Sequence, residues 1–600
     1  MNFALLCIAT LTCAFALGGC DVAGEAPSES DAAVTLRLGA VQGAGVRSPL
    51  ESQRIEVQGV ITGNFVAGLD GFFLQDAAGE EDGDVATSDG VFVHWPRGSA
   101  PKVRRGDRVR VAGTVVERGD GDATQTVIEA TDVAPLGRGA TAVTMLAAAP
   151  AALADWERLE GMWLRMSVPL TVSGNDNLLR YGELQATFGS RQFHPTERHP
   201  PGAQAKVAQD GNLRRRLVLD DARRGDFPNE LWFLPEGLSA AQPLRAGSLL
   251  FKVEGVLEQR YGWRLQLTAK LARIEQAPRP DLPTLPKGLR VASFNVLNYF
   301  NGDGRGRGFP TARGASSLEE LTRQRDKTVA AIAAIQPDIA ALMELENDGY
   351  GDRSSVVELV EALNRKMGQD DYRYIDSGSG PGADEIRVGI IYRSARLLPR
   401  GAPAMLATGA FARHNRVPLA QAFATLDGDH VFTVVANHFK SKSSCNEVED
   451  DGDRDNGDGQ ACWNATRLAA AQELSAWLDT DPDGTDGKRV LILGDLNSYG
   501  QEDPVRALRD AGWRDAFEVV GTKKPYSYVF NGYSGRLDHA FASAALAPFV
   551  VAAREWHINA DESDAFDYNR EHHQRAWYAP DPYRASDHDP LLVVLDFAAR

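Results

Sequence analysis

The sequence predicts an α+β multidomain chain, with small all-β barrels in the N-terminal half and a layered α/β domain in the C-terminal half. Three observations carry this reading. Between residues 50 and 135, short runs of alternating apolar residues are separated by Gly-rich turns, the pattern of half-buried strands. Gln276 to Lys287 contains Pro278, Pro280, Pro283 and Pro286, which excludes regular helix and marks a boundary. Past that boundary, apolar runs of strand length alternate with stretches of helical spacing. At 600 residues the chain also exceeds what one hydrophobic core supports.

Residues 1–20 read as an export signal. Ala4 to Leu17 is almost wholly apolar, and Leu17-Gly18-Gly19-Cys20 resembles a lipobox, which predicts a lipoprotein signal peptide and lipidation of Cys20. No Lys or Arg precedes the apolar run, so a plain secretory signal is the alternative. Residues 21–44 are then a tether. Either reading places the mature chain outside the cytoplasm, at a membrane through the lipid or free in the periplasm or medium. Cys7 and Cys13 leave with the signal, and Cys445 and Cys462 remain as an even pair expected to form a disulfide in an oxidising compartment. Nothing after residue 20 approaches the apolar run needed to span a bilayer.

Two β domains are expected, at 45–140 and 150–275, from strands such as Ile55–Ile61, Gly71–Leu74 and Val109–Val115. Arg105-Gly106, Val111-Ala112-Gly113 and Glu117 are echoed by Arg245-Ala246-Gly247, Val253-Glu254-Gly255 and Glu258. Strand, Gly-bend, strand suits a curled barrel. Neither domain shows a stripe of aromatic and basic residues, and whether they bind nucleic acid or support the rest of the chain is left open.

The linker is 276–287, and residues 288–600 form the mixed domain. Its strands are expected at Val291–Leu297, Ile339–Met343, Val388–Tyr392, Val431–Ala436, Val490–Leu493 and Leu591–Leu595, its helices at Leu318–Ile335, Val356–Met367 and Ala461–Leu478. Polar residues gather at strand ends, where α/β folds place their sites. They are Asn295, Glu344, Asn437-His438, Gly494-Asp495-Leu496-Asn497, Asp538-His539 and Ser586-Asp587-His588-Asp589. One such carboxylate is ordinarily a solvated loop residue; six clusters rich in Asp, Asn, Glu and His indicate chemistry. The formal net charge of −18 argues against electrostatic coating of DNA. It leaves room for an enzyme whose acidic groups hold cations against a phosphate.

The order Asn, Glu, His, Gly-Asp-Leu-Asn, Ser-Asp-His over residues 289–600 resembles the endonuclease/exonuclease/phosphatase superfamily. Tyr526-Ser527-Tyr528-Val529-Phe530, Trp556-His557-Ile558-Asn559-Ala560-Asp561-Glu562 and Tyr583-Arg584-Ala585-Ser586-Asp587-His588 look like its bacterial extracellular endonuclease branch. Thr87-Ser88-Asp89-Gly90 resembles the oligonucleotide/oligosaccharide-binding-like (OB-like) domain which that branch often carries. The resemblance implies a four-layer α/β/β/α sandwich that hydrolyses phosphodiester bonds, with DNA the favoured nucleic acid substrate; the chain is expected to be a monomer. It implies Mg²⁺ (or Mn²⁺) on Asn295, Glu344 and Asp587, hard oxygen ligands. Asp495 and Asn497 would face the phosphate and the attacking water. His588, paired with Asp538, would serve as base or phosphate-stabilising imidazole, and His438 as second acid/base. Asp384, sharing a strand face with Ile386 and Val388, is the expected partner of His438. Arg416 and Lys440 are expected on substrate phosphate.

Asp451, Asp453 and Asp455, between the two cysteines, form a candidate loop for a structural Ca²⁺, although Gly457 and Cys462 break the EF-hand spacing. His572 and His573 are expected at the surface, and Trp463 in the core. A phosphatase or phospholipid phosphodiesterase of the same fold is the alternative activity. A catalytically dead scaffold would show erosion among these site residues, and all are present.

Overall fold

The computed structural model describes residues 36–95, 102–121, 123–228, 230–378 and 382–598. The expected signal peptide, Cys20 and residues 21–35 of the tether lie outside the described residues. Within the expected tether, Leu38–Gln42 is instead a short helix whose Leu38 and Val41 are buried in the first β core.

Five strands, β1 (Arg54–Asn64), β2 (Gly71–Gln75), β3 (Gly90–His94), β4 (Asp107–Asp120) and β5 (Ala123–Arg138), close a barrel in the order β1-β2-β3-β5-β4. All neighbours are antiparallel except β3 and β5. Val57, Phe72, Val91, Val111 and Ile128 fill its interior. The next region comprises β6 (Thr144–Leu146), β7 (Trp163–Met166), β8 (Leu170–Gly174), β9 (Leu184–Phe188), β10 (Arg216–Asp220), β11 (Leu249–Phe251), β12 (Glu254–Gln259), β13 (Trp263–Leu267) and β14 (Arg273–Glu275).

This second region is not the closed barrel expected but a nine-stranded sheet ordered β14-β11-β8-β9-β10-β13-β12-β7-β6. The stretch from β8 through β9, β10, β13 and β12 to β7 repeats the barrel's sequence of ladders, with β10 and β13 the parallel pair. Its opening strand is broken between Met166 and Leu170, where Pro169 has no N–H for a ladder. The echoed glycines are equivalent in space. A Cβ on Gly113 would lie 2.4 Å from the Glu129 carbonyl oxygen, and one on Gly255 2.5 Å from that of Gln266.

The linker runs without helix or strand from Ala277 to Lys287 and is tied down. Trp556 Nε1 and Tyr583 Oη donate to the Pro280 carbonyl at 3.0 and 3.1 Å, and Arg279 pairs with Glu562 at 2.8 Å.

Beyond it stand two six-stranded sheets. The first holds β15 (Leu289–Tyr299), β16 (Ile339–Glu346), β17 (Tyr372–Tyr374), β18 (Ile386–Arg393), β27 (Val550–Glu555) and β28 (Leu591–Leu595) in the order β17-β18-β16-β15-β28-β27. The second holds β19 (Leu397–Met405), β20 (Arg416–Thr425), β21 (Val431–His438), β22 (Val490–Asp495), β23 (Arg514–Asp515) and β26 (Asp538–Ala542) in the order β19-β20-β21-β22-β26-β23. A hairpin of β24 (Tyr528–Phe530) and β25 (Tyr533–Gly535) stands apart. The sheets share a core in which Val291, Met343 and Val593 meet Val434, Leu491 and Ala540. Helices Leu318–Ile335 and Ser355–Met367 cover the first sheet, and Asn464–Leu478 with Asp503–Asp510 the second, giving four layers.

Cys445 and Cys462 are disulfide-bonded. Of the carboxylates in the acidic loop they close, only that of Asp453 is buried, and Asp451, Asp453 and Asp455 each already have a partner within the loop or the helix after it. Asp453 accepts from Thr466 N–H and Oγ1, Asp455 accepts from Gly457 N–H, and Asp451 pairs with Arg454 at 2.8 Å. Among the described residues no three His, Cys, Asp or Glu converge to hold an ion, so the Ca²⁺ loop is not supported. His573 is not a surface group either: its imidazole is 7% exposed and lies 3.3 Å from Asp567. His572 stacks on Phe227 at 3.6 Å.

Candidate active site

Strand alternation aims four polar side chains at one spot. In β15, Val291 faces the inter-sheet core while Ala292, Phe294 and Val296 face the outer helices, which turns Asn295 inward. By the same parity Val434 and Ala436 place His438 inward, Leu491 and Leu493 place Asp495, and Ala540 and Ala542 place Asp538. Register puts His438 beside Asp495 and Asp495 beside Asp538, a row across three adjacent strands.

Glu344 reaches the same place by breaking the rule. Leu342 and Leu345 both face the helices, with Met343 inward, so the alternation slips at Glu344. Both ladders of β16 shift register here, and Glu344 has φ +66°. A bulge of this kind re-aims a side chain at some backbone cost. The Glu344 carboxylate accepts from Asn295 Nδ2 at 3.0 Å and from the Asn298 N–H at 2.9 Å.

Asp495 is the hub. Its Oδ1 accepts from Asn497 N–H at 2.8 Å, and its Oδ2 lies 3.6 Å from His438 Nε2, 3.7 Å from His588 Nε2 and 3.4 Å from Asn295 Nδ2. His588 Nδ1 sits 2.7 Å from Asp538 Oδ2, which also accepts from Ser527 Oγ at 2.7 Å. Tyr528 lies over the His588 ring, with centroids 4.6 Å apart.

Burial and charge set the two histidines apart. Burial alone would lower the His588 pKa, but the carboxylates of Asp538, Asp495 and Asp587 raise it well above the imidazole range, so its ring is charged near neutral pH. Burial, then the positive charges of Arg416 and His588, push His438 well below that range, and its ring is neutral. Burial, with the Asp538 charge adding to it, raises Asp495. Burial and then repulsion from Asp587 raise Glu344.

Glu344, Asp587, Asp495, Asn497, His438, His588 and Arg416 line one cavity of about 720 Å³. The expected metal ligands fit a hard divalent cation in part. Glu344 and Asp587 present carboxylate oxygens whose mutual repulsion a cation would relieve. Asn295 acts on Glu344 instead, since its Nδ2 donates to that carboxylate and its Oδ1 accepts from Leu297 N–H at 3.0 Å. Two carboxylates leave most of a coordination shell to water and substrate oxygens, which Mg²⁺ tolerates.

Two expected roles need correction. Asp384 does not orient His438: its carboxylate is 3.1 Å from Arg416 Nε, and His438 Nδ1 is buried with no hydrogen-bond partner among the described residues. The guanidinium supplies the stronger electrostatic claim on that carboxylate. Lys440 does not line the cavity, because its ammonium sits over the Trp463 ring at 4.7 Å, and Trp463 is buried as expected. Lys442 does line it, held by Glu502 at 2.5 Å and the Gln460 carbonyl at 2.8 Å.

Sequence reasoning gave no role to Ser527, Tyr528 or Phe530, although they lie in a quoted phrase. It missed His194 entirely, a residue of the second β region that lines the cavity.

Residues 292–588 match the model of the Endonuclease/Exonuclease/phosphatase family, and this part of the chain is a domain of that family. The family's members hydrolyse phosphodiesters or phosphate esters and generally use divalent metals such as Mg²⁺. Similar solved structures include D. rerio TDP2 humanized by 14 mutations, at 16% identity over 51% of this chain and 98% of that one, TM-score 0.33. An endonuclease/exonuclease/phosphatase family protein from Bacteroides thetaiotaomicron matches at 16% identity over 52% and 97%, TM-score 0.34. The human Nocturnin catalytic domain with bound sulfate matches at 14% over 52% and 95%, TM-score 0.33. No curated protein matches the chain.

Proposed function

We propose that this chain is an exported, divalent-metal-dependent nuclease that hydrolyses internal phosphodiester bonds of DNA. The observation that carries the reading is the placement of His588 and His438 on either side of Asp495, within 3.7 and 3.6 Å of one carboxylate oxygen, with Asp538 2.7 Å behind His588.

A cation held by Glu344 and Asp587 would supply charge neutralisation at the phosphate. Asp495, its proton affinity raised by burial, takes the proton of the attacking water as oxygen bonds to phosphorus. The His588 imidazolium, fixed by Asp538, faces the charge that develops on the phosphate and gives a proton to the departing oxygen. Neutral His438 donates a hydrogen bond to a non-bridging oxygen. Arg416, held by Asp384, adds a cationic wall.

Export is supported by the lipobox-like Leu17-Gly18-Gly19-Cys20 and by the disulfide between Cys445 and Cys462, a bond kept in oxidising compartments. The barrel order β1-β2-β3-β5-β4 supports reading the first β domain as OB-like.

Signal-free protein incubated with closed circular plasmid, Mg²⁺ and then chelator tests this directly. Nicking followed by fragmentation, stopped by chelator, is expected. An intact circle beside a degraded linear control would show exonuclease action. Intact DNA beside a hydrolysed phosphomonoester or phospholipid would move the function to a phosphatase or phospholipid phosphodiesterase.

A further inference from the structure

The segment Arg191–Arg198 of the second β region is bound to the catalytic domain and sets His194 into the cavity. Arg191 Nη1 donates to Asp561 Oδ1 at 2.6 Å and to Ser534 Oγ at 2.9 Å. The backbones of Gln192 and His194 pair with Ser534, at 3.0 and 2.9 Å. Thr196 Oγ1 donates to Glu502 at 2.7 Å, and the buried Glu197 takes Arg536 Nε at 3.0 Å and the N–H groups of Gly500 and Arg536, each at 3.0 Å. A segment held at so many points is a fixed wall of the cavity.

That wall presents a ring. His194 stacks on Tyr499 with centroids 3.9 Å apart and planes 17° apart, and both line the cavity. Tyr499 packs tightly on Gly535, where a Cβ would lie 2.5 Å from its ring. His194 is a poor anion-binding group, since burial lowers its pKa to about 3 and leaves the ring neutral. A second aromatic pair lines the same cavity beside His588: Tyr528 and Phe530, 6.4 Å apart and 15° from parallel, with Phe530 54% exposed. Phosphate hydrolysis uses neither His194 nor Phe530.

We propose that His194 and Phe530 form a base-stacking subsite, in which rings from two parts of the chain receive the nucleobase next to the scissile phosphate. The inference rests on the nuclease reading and narrows it, since planar bases are what a phosphomonoester of a sugar or a lipid headgroup lacks. Stacking on aromatic side chains tolerates every base, so the subsite favours polynucleotide without sequence preference.

Binding in chelator separates this from cleavage. Fluorescence anisotropy of a labelled single-stranded oligothymidine is compared with an abasic strand of equal length and charge. Wild-type protein is expected to bind the base-bearing strand about tenfold more tightly. His194→Ala and Phe530→Ala should each erase most of that preference while leaving abasic binding unchanged, and His194→Phe should restore it. Equal binding of the two strands by wild type, or an unaltered preference in Phe530→Ala, overturns the proposal. If His194→Ala lowers the melting temperature, the exposed Phe530→Ala and the ring-retaining His194→Phe decide. Base preference without plasmid cleavage in Mg²⁺ would defeat the nuclease reading alone.

Discussion

His588 Nδ1 and Asp538 Oδ2 lie 2.7 Å apart, although one residue precedes β28 of the first sheet and the other begins β26 of the second. The pair therefore reports on how the two sheets meet. It also holds the charged imidazole against Asp495. Asp538→Asn keeps the shape and removes the charge. It is expected to lower kcat by about 10²- to 10⁴-fold, the range of a general acid–base contribution, with little change in KM. Steady-state kinetics beside a thermal melt checks this; a retained kcat would remove Asp538 from the mechanism.

The contact between Asp384 and Arg416 makes a separate prediction. If Asp384 positions Arg416, then Asp384→Ala and Arg416→Ala should each raise KM for DNA, and the double variant should be about as impaired as Arg416→Ala alone. Paired with His438→Ala, Asp384→Ala should be additive. A double-mutant cycle on kcat/KM measures both couplings. Coupling of Asp384 to His438 instead would restore the orientation expected from sequence.

Glu197 joins the second β region to the catalytic domain through Arg536, with both side chains nearly buried, at 5% and 6% exposure. Arg536 keeps Asp515 at 2.8 Å, so truncating Glu197 removes one of its two carboxylates. Glu197→Ala is expected to cost about 3 kcal/mol of stability, as breaking a buried pair does. Denaturant unfolding of the whole chain reads it, and a loss below about 0.5 kcal/mol, the surface range, would mean that the docking is weak.

His573 gives a pH signature away from the catalytic cavity. Burial alone would lower its pKa, but the Asp567 carboxylate and the carbonyls of Asp564 and Glu571 raise it to about 9. A raised folded value means that the imidazolium stabilises the fold fully below its unfolded pKa, and that this is lost as pH climbs through about 9. His573→Gln should cost on the order of 2–3 kcal/mol at pH 6 and close to nothing at pH 10. Urea unfolding of both proteins at the two pH values tests the sign, and a larger cost at pH 10 would reverse it.

Much of the catalytic half was legible in the sequence because its signals are local. The helix Leu318–Ile335 and the strand Leu591–Leu595 stand where periodicity places them, and the other buried strands differ by a few residues at their ends. β19, β20, β26 and β27 were not recognised. β19 is an exposed edge with Pro399 and Pro403 inside it, and β26 is a short run between polar loops. In the N-terminal half, the echoed glycines Gly113 and Gly255 each lie against a neighbouring strand's carbonyl, a contact the echo alone did not specify. The interruption at Pro169 that opens the second sheet was not read from it.

The sequence by itself determined which residue types stand at the strand ends, because a period of two fixes the face each side chain takes within its own strand. Asn295, His438, Asp495 and Asp538 follow from it. Tertiary structure decided the rest, since it turns on contacts that no local period encodes. A bulge re-aims Glu344, Arg416 rather than His438 receives Asp384, and a loop some three hundred residues away in sequence sets His194 into the cavity. Each is a competition among distant groups for charge, hydrogen bonds or space, and only the packed chain brings the competitors together.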